Sequence, residues 1–176
     1  MDIIIRQETS ADYSAVFNII KDAFKAEVLS DNTESFLVEK LRKSDAFIPR
    51  LSLVATHNNK IVGHILLTKI QIKNKNKSVD SLALAPVSVK PEFQKRGIGR
   101  ELIIASHKRA IELGYKSIIL LGHENYYPRF GYKRASNYNI KIPFDAPDEN
   151  CMAIELIKNG LKNVNGTVVY DKAFLD

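Results

Sequence analysis

Residues 94 to 100 read Gln-Lys-Arg-Gly-Ile-Gly-Arg. Two glycines, Gly97 and Gly99, stand one residue apart at the start of a helical pattern, among Lys95, Arg96 and Arg100. Glycine lets a ligand approach the main chain without a Cβ in the way. The first turn of a helix offers unpaired N–H groups and the positive end of its dipole. A strand-to-helix loop of this composition suits an anion, most naturally a phosphate. Two nucleotide loops are excluded. GxxxxGK[ST] is absent, and GxGxxG fails at its third glycine, where Leu102 stands. It fails again at the acid expected about 20 residues on, where the chain has Lys116, Ser117 and Ile118. Taken alone, the glycines also suit a tight turn with no ligand.

The strand before the loop narrows the choice. In "LALAPVSV", residues 82 to 89, Pro86 interrupts an apolar run. Proline cannot donate to a ladder and belongs at an edge or a bulge. The crossover that follows nevertheless makes this strand internal. The conflict resolves if the strand bulges at Pro86 and splays from its parallel neighbour, freeing main-chain groups of Val87, Ser88 and Val89. An extended ligand with its own amides can pair there as an added strand does. Amides at one end and a diphosphate at the other describe coenzyme A.

These groups must be held by an α/β fold. "DIIIR" reads as a strand, and "TSADYSAVFNIIKDAF" as a helix capped by Thr9 or Ser10, with Tyr13, Val16, Phe17, Ile20 and Phe24 at helical spacing. "NTESFLVEKLRKS" gives a second helix with Leu37, Val38 and Leu41 inward. Residues 49 to 89 carry three strands, the first turn at Asn58-Asn59, since Asn tolerates positive φ. A helix over about 98–113 buries Leu102, Ile103, Ala110 and Leu113 and stops at Gly114. "KSIILLG" then reads as a buried parallel strand, reached by a right-handed crossover. "ENYYPRF" is a short helical segment, and "CMAIELI" and "GTVVYDKAF" close the chain as β segments. The expectation is one domain over 1–176, with a mixed central sheet: antiparallel in its first half, with one parallel, splayed strand pair around the crossover helix.

"VSVKPEFQKRGIGREL" resembles the acyl-CoA motif of the GNAT N-acetyltransferase superfamily: a strand, V-x-P, then Q/R-x-x-G-x-G/A. "NYYPRFGY" is similar to its later motif, an aromatic pair followed by Gly-aromatic, and the order of elements fits along most of the chain. "VGHILLT", "YYPRFGY" and "GTVVYDKAF" resemble the bacterial YhbS-like branch. The resemblance implies a GNAT (acyl-CoA N-acyltransferase) fold, acetyl-CoA as co-substrate without a metal, and transfer of acetyl to a primary amine. It implies that main-chain groups of Val87, Ser88 and Val89 bind the pantetheine arm. It further implies that Lys95, Arg96, Gly97, Ile98, Gly99 and Arg100 wrap the pyrophosphate, with Gln94 opening the loop. Tyr127 matches the family's general acid. The ring of Tyr126 or Phe130 packs beside the cofactor or in the core.

A phenol of pKa ~10 is matched to a thiolate whose acid lies near ~8.5, so Tyr127 suits the departing sulfur. The N–H of Val87 suits the thioester carbonyl as an oxyanion donor. The base that deprotonates the amine is not evident. Asp80, the acid of the strand before the loop, lies seven residues before Val87, and Glu34, His64 and His123 are the other candidates. His64 shares parity with Val62 and Leu66, which favours a buried, satisfied histidine. His123 follows the parallel strand, where ligands of such sheets gather. Proton loss to water needs no single base. The rival reading is a non-catalytic acyl-CoA-binding or regulatory domain of the same fold.

The remaining composition sets bounds. The 176 residues include 26 Lys and Arg against 20 Asp and Glu, a formal charge of +6. That favours an anionic partner. The excess is dispersed and lacks interleaved aromatics, so no specific nucleic-acid site is expected. The amino terminus does not read as a signal peptide, no apolar run approaches ~18 residues, and Cys151 is the one cysteine, so a cytoplasmic protein without a membrane partner is expected. The four histidines, at 57, 64, 107 and 123, show no metal-ligand spacing. The acceptor pocket is expected from the first two helices, residues 29–36 and the last strands. The acceptor, a small molecule or peptide amine, and the choice between monomer and homodimer stay open.

Overall fold

Alternating apolar runs, broken at asparagine and glycine turns, dictate most of the architecture. The computed structural model describes residues 1–28 and 30–176; Leu29, first residue of the 29–36 loop, lies outside the described residues. In chain order the strands are β1 (Ile4–Gln7), β2 (Phe47–His57), β3 (Lys60–Lys73), β4 (Ser78–Val89), β5 (Ser117–Leu121), β6 (Lys133–Arg134), β7 (Ile140–Lys141), β8 (Cys151–Glu155) and β9 (Gly166–Val169). The helices are α1 (Tyr13–Phe24), α2 (Glu34–Arg42) and α3 (Ile98–Glu112), with short 3-10 turns such as Tyr127–Phe130 between elements. Backbone hydrogen bonds link the strands in the order β1-β2-β3-β4-β5-β8-β6, with β9 beside β3 and β7 beside β9.

The turn chemistry explains the long hairpins. Asn58 and Asn59 both adopt left-handed φ, 49° and 60°, which matches the twist of the flanking strands. At the other end of β3, the Asn74 side chain accepts from the amides of Asn76 and Lys77 at 2.9 and 3.0 Å. Gly114 has φ 88°, and the Tyr115 N–H returns to the Ala110 carbonyl at 3.0 Å, closing α3 as glycine at this position does.

Packing divides the described chain into two compact units. The first comprises Met1–Thr68 and Pro86–Arg109. Val16, Ile19 and Ile20 of α1 and Val38 and Leu41 of α2 are buried in it, as are Ile98, Leu102 and Ile103 of α3. Ile19 is buried as well, while Tyr13, expected inward, is 37% exposed. The Arg42 guanidinium carbon lies 3.9 Å from the Tyr13 ring centroid. Leu37 is half-buried, and the buried face of α2 includes Ser35 instead.

The second unit comprises Lys69–Ala85 and Ala110–Asp176. Its core holds Ile70, Ile72, Ala83, Ile119, Ile140, Ala153 and Val168. Here β4 and β5 run parallel, with β8 antiparallel beside β5. A second short parallel pairing joins β7 to β9, Ile140 opposite Gly166 and Lys141 opposite Thr167.

Candidate active site

The parallel ladder of β4 and β5 has two register pairs, Leu82 with Ile118 and Ala83 with Ile119. Strand β4 continues for six residues beyond Ala83. The ladder therefore stops three residues before Pro86, whose missing N–H breaks no bond to β5. From Leu84 onward burial alternates strictly: Leu84, Pro86 and Ser88 are buried, while Ala85, Val87 and Val89 are half-exposed. Two main-chain groups at the strand end are occupied. The Lys90 N–H donates to the Val62 carbonyl at 2.9 Å, and the Gln94 side-chain amide donates to the Val89 carbonyl at 3.1 Å. The Val89 carbonyl is thus not free as the sequence suggested; Gln94 uses it to fix the start of the loop.

The loop itself turns through left-handed backbone at Lys95 (φ 60°) and Gly97 (φ 84°). The Gly97 carbonyl accepts from Glu101 N–H at 3.1 Å, so Gly97 caps α3. The amides of Gly97, Ile98, Gly99 and Arg100 precede that first bond and have no intrahelical acceptor. Charge is layered over them. Arg96 lies 5.6 Å from the Phe93 ring centroid, and Arg100 pairs with Glu101 at 2.6 Å. Seating α3 this close to the sheet requires Gly63 on β3. A Cβ there would stand 3.0 Å from Leu102 Cδ1, 3.2 Å from Ile98 Cγ2 and 3.2 Å from the Ser88 carbonyl oxygen. Gly63 escaped the sequence reading, although an interior strand glycine is the signal of a close approach.

In the second unit, β5 ends at Leu121, Gly122 follows it, and the 3-10 turn Tyr127–Phe130 comes next. The amides of Tyr126 and Tyr127 donate to the His123 carbonyl at 3.0 and 3.5 Å. This holds Tyr127 over the glycine. A Cβ on Gly122 would sit 2.7 Å from Tyr127 Cδ2 and closer still to Cε2. Tyr127 is buried, with the rings of Tyr126 at 5.1 Å and Tyr132 at 5.7 Å edge-on to it. Its hydroxyl makes no hydrogen bond to another described residue. Burial pushes its pKa up, and Tyr126 beside it pushes the same way, so Tyr127 is a protonated phenol throughout the neutral range. Tyr126 packs between Tyr127 and Phe130 under the Arg129 guanidinium, inside this aromatic cluster.

The base candidates separate clearly. His123 exposes its side chain and contributes its carbonyl to the turn. Asp80 is exposed and accepts from Gln71 at 3.1 Å; Glu34 accepts from Ser30 at 2.5 Å. His64 is fully buried in the first unit. Its Nε2 is 3.0 Å from Ser52 Oγ, which donates to Glu8 Oε2 at 2.6 Å, and Glu8 is bound in turn by Arg42. Burial first, then the Arg42 charge, lower the His64 pKa to about 3. Sequence spacing could not reveal this cluster, because its members lie on β3, β2, α2 and the segment after β1.

In the first unit the strand end at Val87–Val89 runs into a glycine loop whose amides have no intrahelical acceptor, and in the second a buried phenol lies over a glycine. Residues 4–135 match the family model described as the acetyltransferase (GNAT) domain, and the chain belongs to this family. Its likeness is to the YhbS-like branch. It is 24% identical over 173 residues, 98% of both chains, to the uncharacterized N-acetyltransferase YhbS of Escherichia coli (strain K12). It is 36% identical over 118 residues to the uncharacterized N-acetyltransferase YjhQ of the same organism, covering 66% of this chain and 65% of YjhQ. Among solved structures, Escherichia coli YhbS in complex with CoA superposes with a TM-score of 0.88 at 22% identity, over 99% of this chain and 92% of that one. A GNAT acetyltransferase from Brucella melitensis in complex with acetyl-CoA gives 0.79 at 27% identity, over 98% of both. Among the described residues, no helix is long and apolar enough to cross a membrane.

Proposed function

We propose that the whole chain, 1–176, works as one acetyltransferase domain that moves acetyl from acetyl-CoA to a primary amine by direct attack in the cytoplasm. The observation that carries this reading is the early end of the β4–β5 ladder, two register pairs in a strand of 12 residues, followed by the amide-rich turn at 94–100. The main chain of half-exposed Val87 and the N–H of Val89 pair with the pantetheine amides. The amides of Gly97 to Arg100, with the Lys95 and Arg96 charges, take the pyrophosphate. The relative complexed with acetyl-CoA supports the ligand.

In the reaction the amine lone pair attacks the thioester carbon, a C–N bond forms and the C–S bond breaks. The Val87 N–H holds the carbonyl oxygen. Tyr127 gives its proton to the leaving sulfur, the ammonium proton passes to water, and water returns a proton to Tyr127 to close the cycle. Burial keeps Tyr127 protonated but also makes it a reluctant donor, so the transfer accompanies C–S cleavage rather than preceding it. One observation favours the non-catalytic alternative: Asp80 is the acid of β4, and it sits at the end remote from Val87. Two experiments decide. Saturating acetyl-CoA raises Tm, and no shift at 100 times the expected Kd refutes the reading, because binding at that level adds about 2.7 kcal/mol. Tyr127→Phe lowers CoA release about 10²-fold or more with the best acceptor from an amine screen, at unchanged acetyl-CoA affinity; equal turnover removes Tyr127 as the acid.

A further inference from the structure

The Glu8–Arg42–Ser52–His64 cluster takes no part in the chemistry just described, yet it stops one hydrogen bond short of completion. Ser52 has one hydroxyl proton and gives it to Glu8 Oε2 at 2.6 Å. Toward His64, 3.0 Å away, Ser52 Oγ must therefore accept. That fixes the proton of His64 on Nε2 and leaves Nδ1 as a bare acceptor. Nδ1 is buried and has no protein partner among the described residues. The same is true of Ser88 Oγ, on a residue 3% exposed.

The strand register brings these two orphans opposite each other. The bond from Lys90 N–H to the Val62 carbonyl pairs residue 90 with residue 62. Two residues along each antiparallel strand bring Ser88 opposite His64, with side chains on the same face of the sheet. The contact between Gly63 and the Ser88 carbonyl supports that register: a Cβ on Gly63 would lie 3.2 Å from that oxygen. The third orphan, Thr68 Oγ1, stands four residues further along β3, about 13 Å away, and cannot share their partner. Two polar atoms on facing residues that do not bond each other, both closed off from bulk solvent, require a small polar bridge.

We propose that one buried water bridges His64 Nδ1 and Ser88 Oγ, and that through it the Glu8–Arg42 pair anchors the strand end that binds the acetyl-CoA arm. His64 is then a positioning residue for the cofactor, and it takes no proton from the acceptor amine. The depressed His64 pKa agrees, since a permanently neutral ring keeps this donor and acceptor pattern at every working pH. Ser88 directly follows Val87, so a shift of the Ser88 side chain moves the amides on either side of it. The inference rests on the acetyl-CoA reading of the preceding section.

The test is a double-mutant cycle read by calorimetric titration of acetyl-CoA. His64→Gln keeps a donor for Ser52 but lacks the Nδ1 acceptor; Ser88→Ala removes the other end. Each is expected to raise Kd about fivefold, the effect of one lost hydrogen bond, and the double variant is also expected to rise about fivefold. A double variant near ~25-fold means independent sites and overturns the shared bridge. Single variants that bind like wild type overturn the positioning role. Ile20→Val, a core change in the same unit, controls for general loosening: it lowers Tm without moving Kd, and a Kd shift there overturns the assignment to His64. If His64→Gln does not fold, Ser88→Ala and a high-resolution crystal structure of the wild type decide. A solvent molecule within hydrogen-bond reach of both atoms supports the proposal, and direct packing of the two side chains refutes it. Failure of the wild type to bind acetyl-CoA would refute the functional reading instead, so the two failures are distinguishable.

Discussion

Gly122→Ala isolates the support beneath the proposed acid. The glycine is not in left-handed backbone, so alanine meets no conformational penalty there. The obstacle is the ring above it. The new methyl stands 2.7 Å from Tyr127 Cδ2 and closer still to Cε2, where ordinary contact begins at 3.4 Å, so the ring must retreat by about 1 Å. The backbone cannot move away instead. The Gly122 N–H donates to the Asn150 carbonyl at 3.0 Å, and its own carbonyl accepts from the Asn150 side chain at 3.0 Å. Nor is there slack around the ring, with Tyr126 and Tyr132 packed edge-on at 5.1 and 5.7 Å. Overpacking of this kind costs about 1–3 kcal/mol, and the reduced freedom of the unfolded chain returns about 0.4–1 kcal/mol. A net loss of about 1–2 kcal/mol lowers Tm by roughly 3–6 °C in a chain of this size. Displacing a reacting group by about 1 Å costs up to 10²-fold in rate, so turnover is expected to fall at least about tenfold. Acetyl-CoA affinity, which the proposed function assigns to β4 and the 94–100 loop, is expected to stay at the wild-type value. Calorimetry and CoA release with a screened acceptor measure all three. A wild-type Tm refutes the packing account. A lowered Tm with full turnover refutes the role of the Tyr127 hydroxyl.

Gly97→Ala tests the loop: its φ is 84° and no atom lies within 4 Å of the new methyl, so the expected loss of about 1 kcal/mol is purely conformational. Weaker acetyl-CoA binding accompanies it, and an unchanged Tm and Kd count against a required left-handed cap. Gly63→Ala pushes Ile98 and Leu102 from the sheet, costing about 1–2 kcal/mol and several-fold in acetyl-CoA Kd; a stabilised variant contradicts the close approach. Acid sensitivity follows from His64, whose folded pKa is about 3. Between there and the unfolded value of ~6.5 the unfolded chain binds one more proton, so stability rises with pH across that window. Moving from pH 7 to 5 removes about 2 kcal/mol through this group. Burial holds His107 at about 4, and it acts in the same direction. Urea titrations at both pH values should show His64→Gln losing about 2 kcal/mol less than wild type on acidification, and equal losses refute the assignment.

What the sequence disclosed was local. Asn58-Asn59, Gly114 and the Pro86 strand with its glycine loop each carry their reason within a few residues; the two turns stand where expected, and the parallel ladder ends three residues before the Pro86 at which the break was expected. What it withheld depends on partners distant in the chain. Glu8 meets Ser52 across 44 positions and Arg42 across 34, and neither pairing leaves a trace in periodicity. The Tyr13 environment follows the same logic, since the arginine stacked on its ring comes from another helix, 29 positions on. The two-residue parallel ladder of β7 and β9 is too short to produce a pattern at all. His64 was legible as buried but not as half-satisfied, because one ring nitrogen is settled by Ser52 and the other is not.

The ring cluster over Gly122 has an optical consequence. The chain contains seven tyrosines and no tryptophan, so tyrosine alone supplies its emission near 300 nm and dominates its near-ultraviolet dichroism. Tyr126, Tyr127 and Tyr132 stand edge-on within 5.7 Å of one another along the chain of contacts, in a chiral, rigid setting that strengthens their bands. A second group, Tyr170 with Phe144 and Phe174, gives a separate background. Occupancy at the Tyr127 hydroxyl can therefore be followed in the unlabelled protein as a change in the tyrosine spectrum, with Tyr127→Phe as the blank.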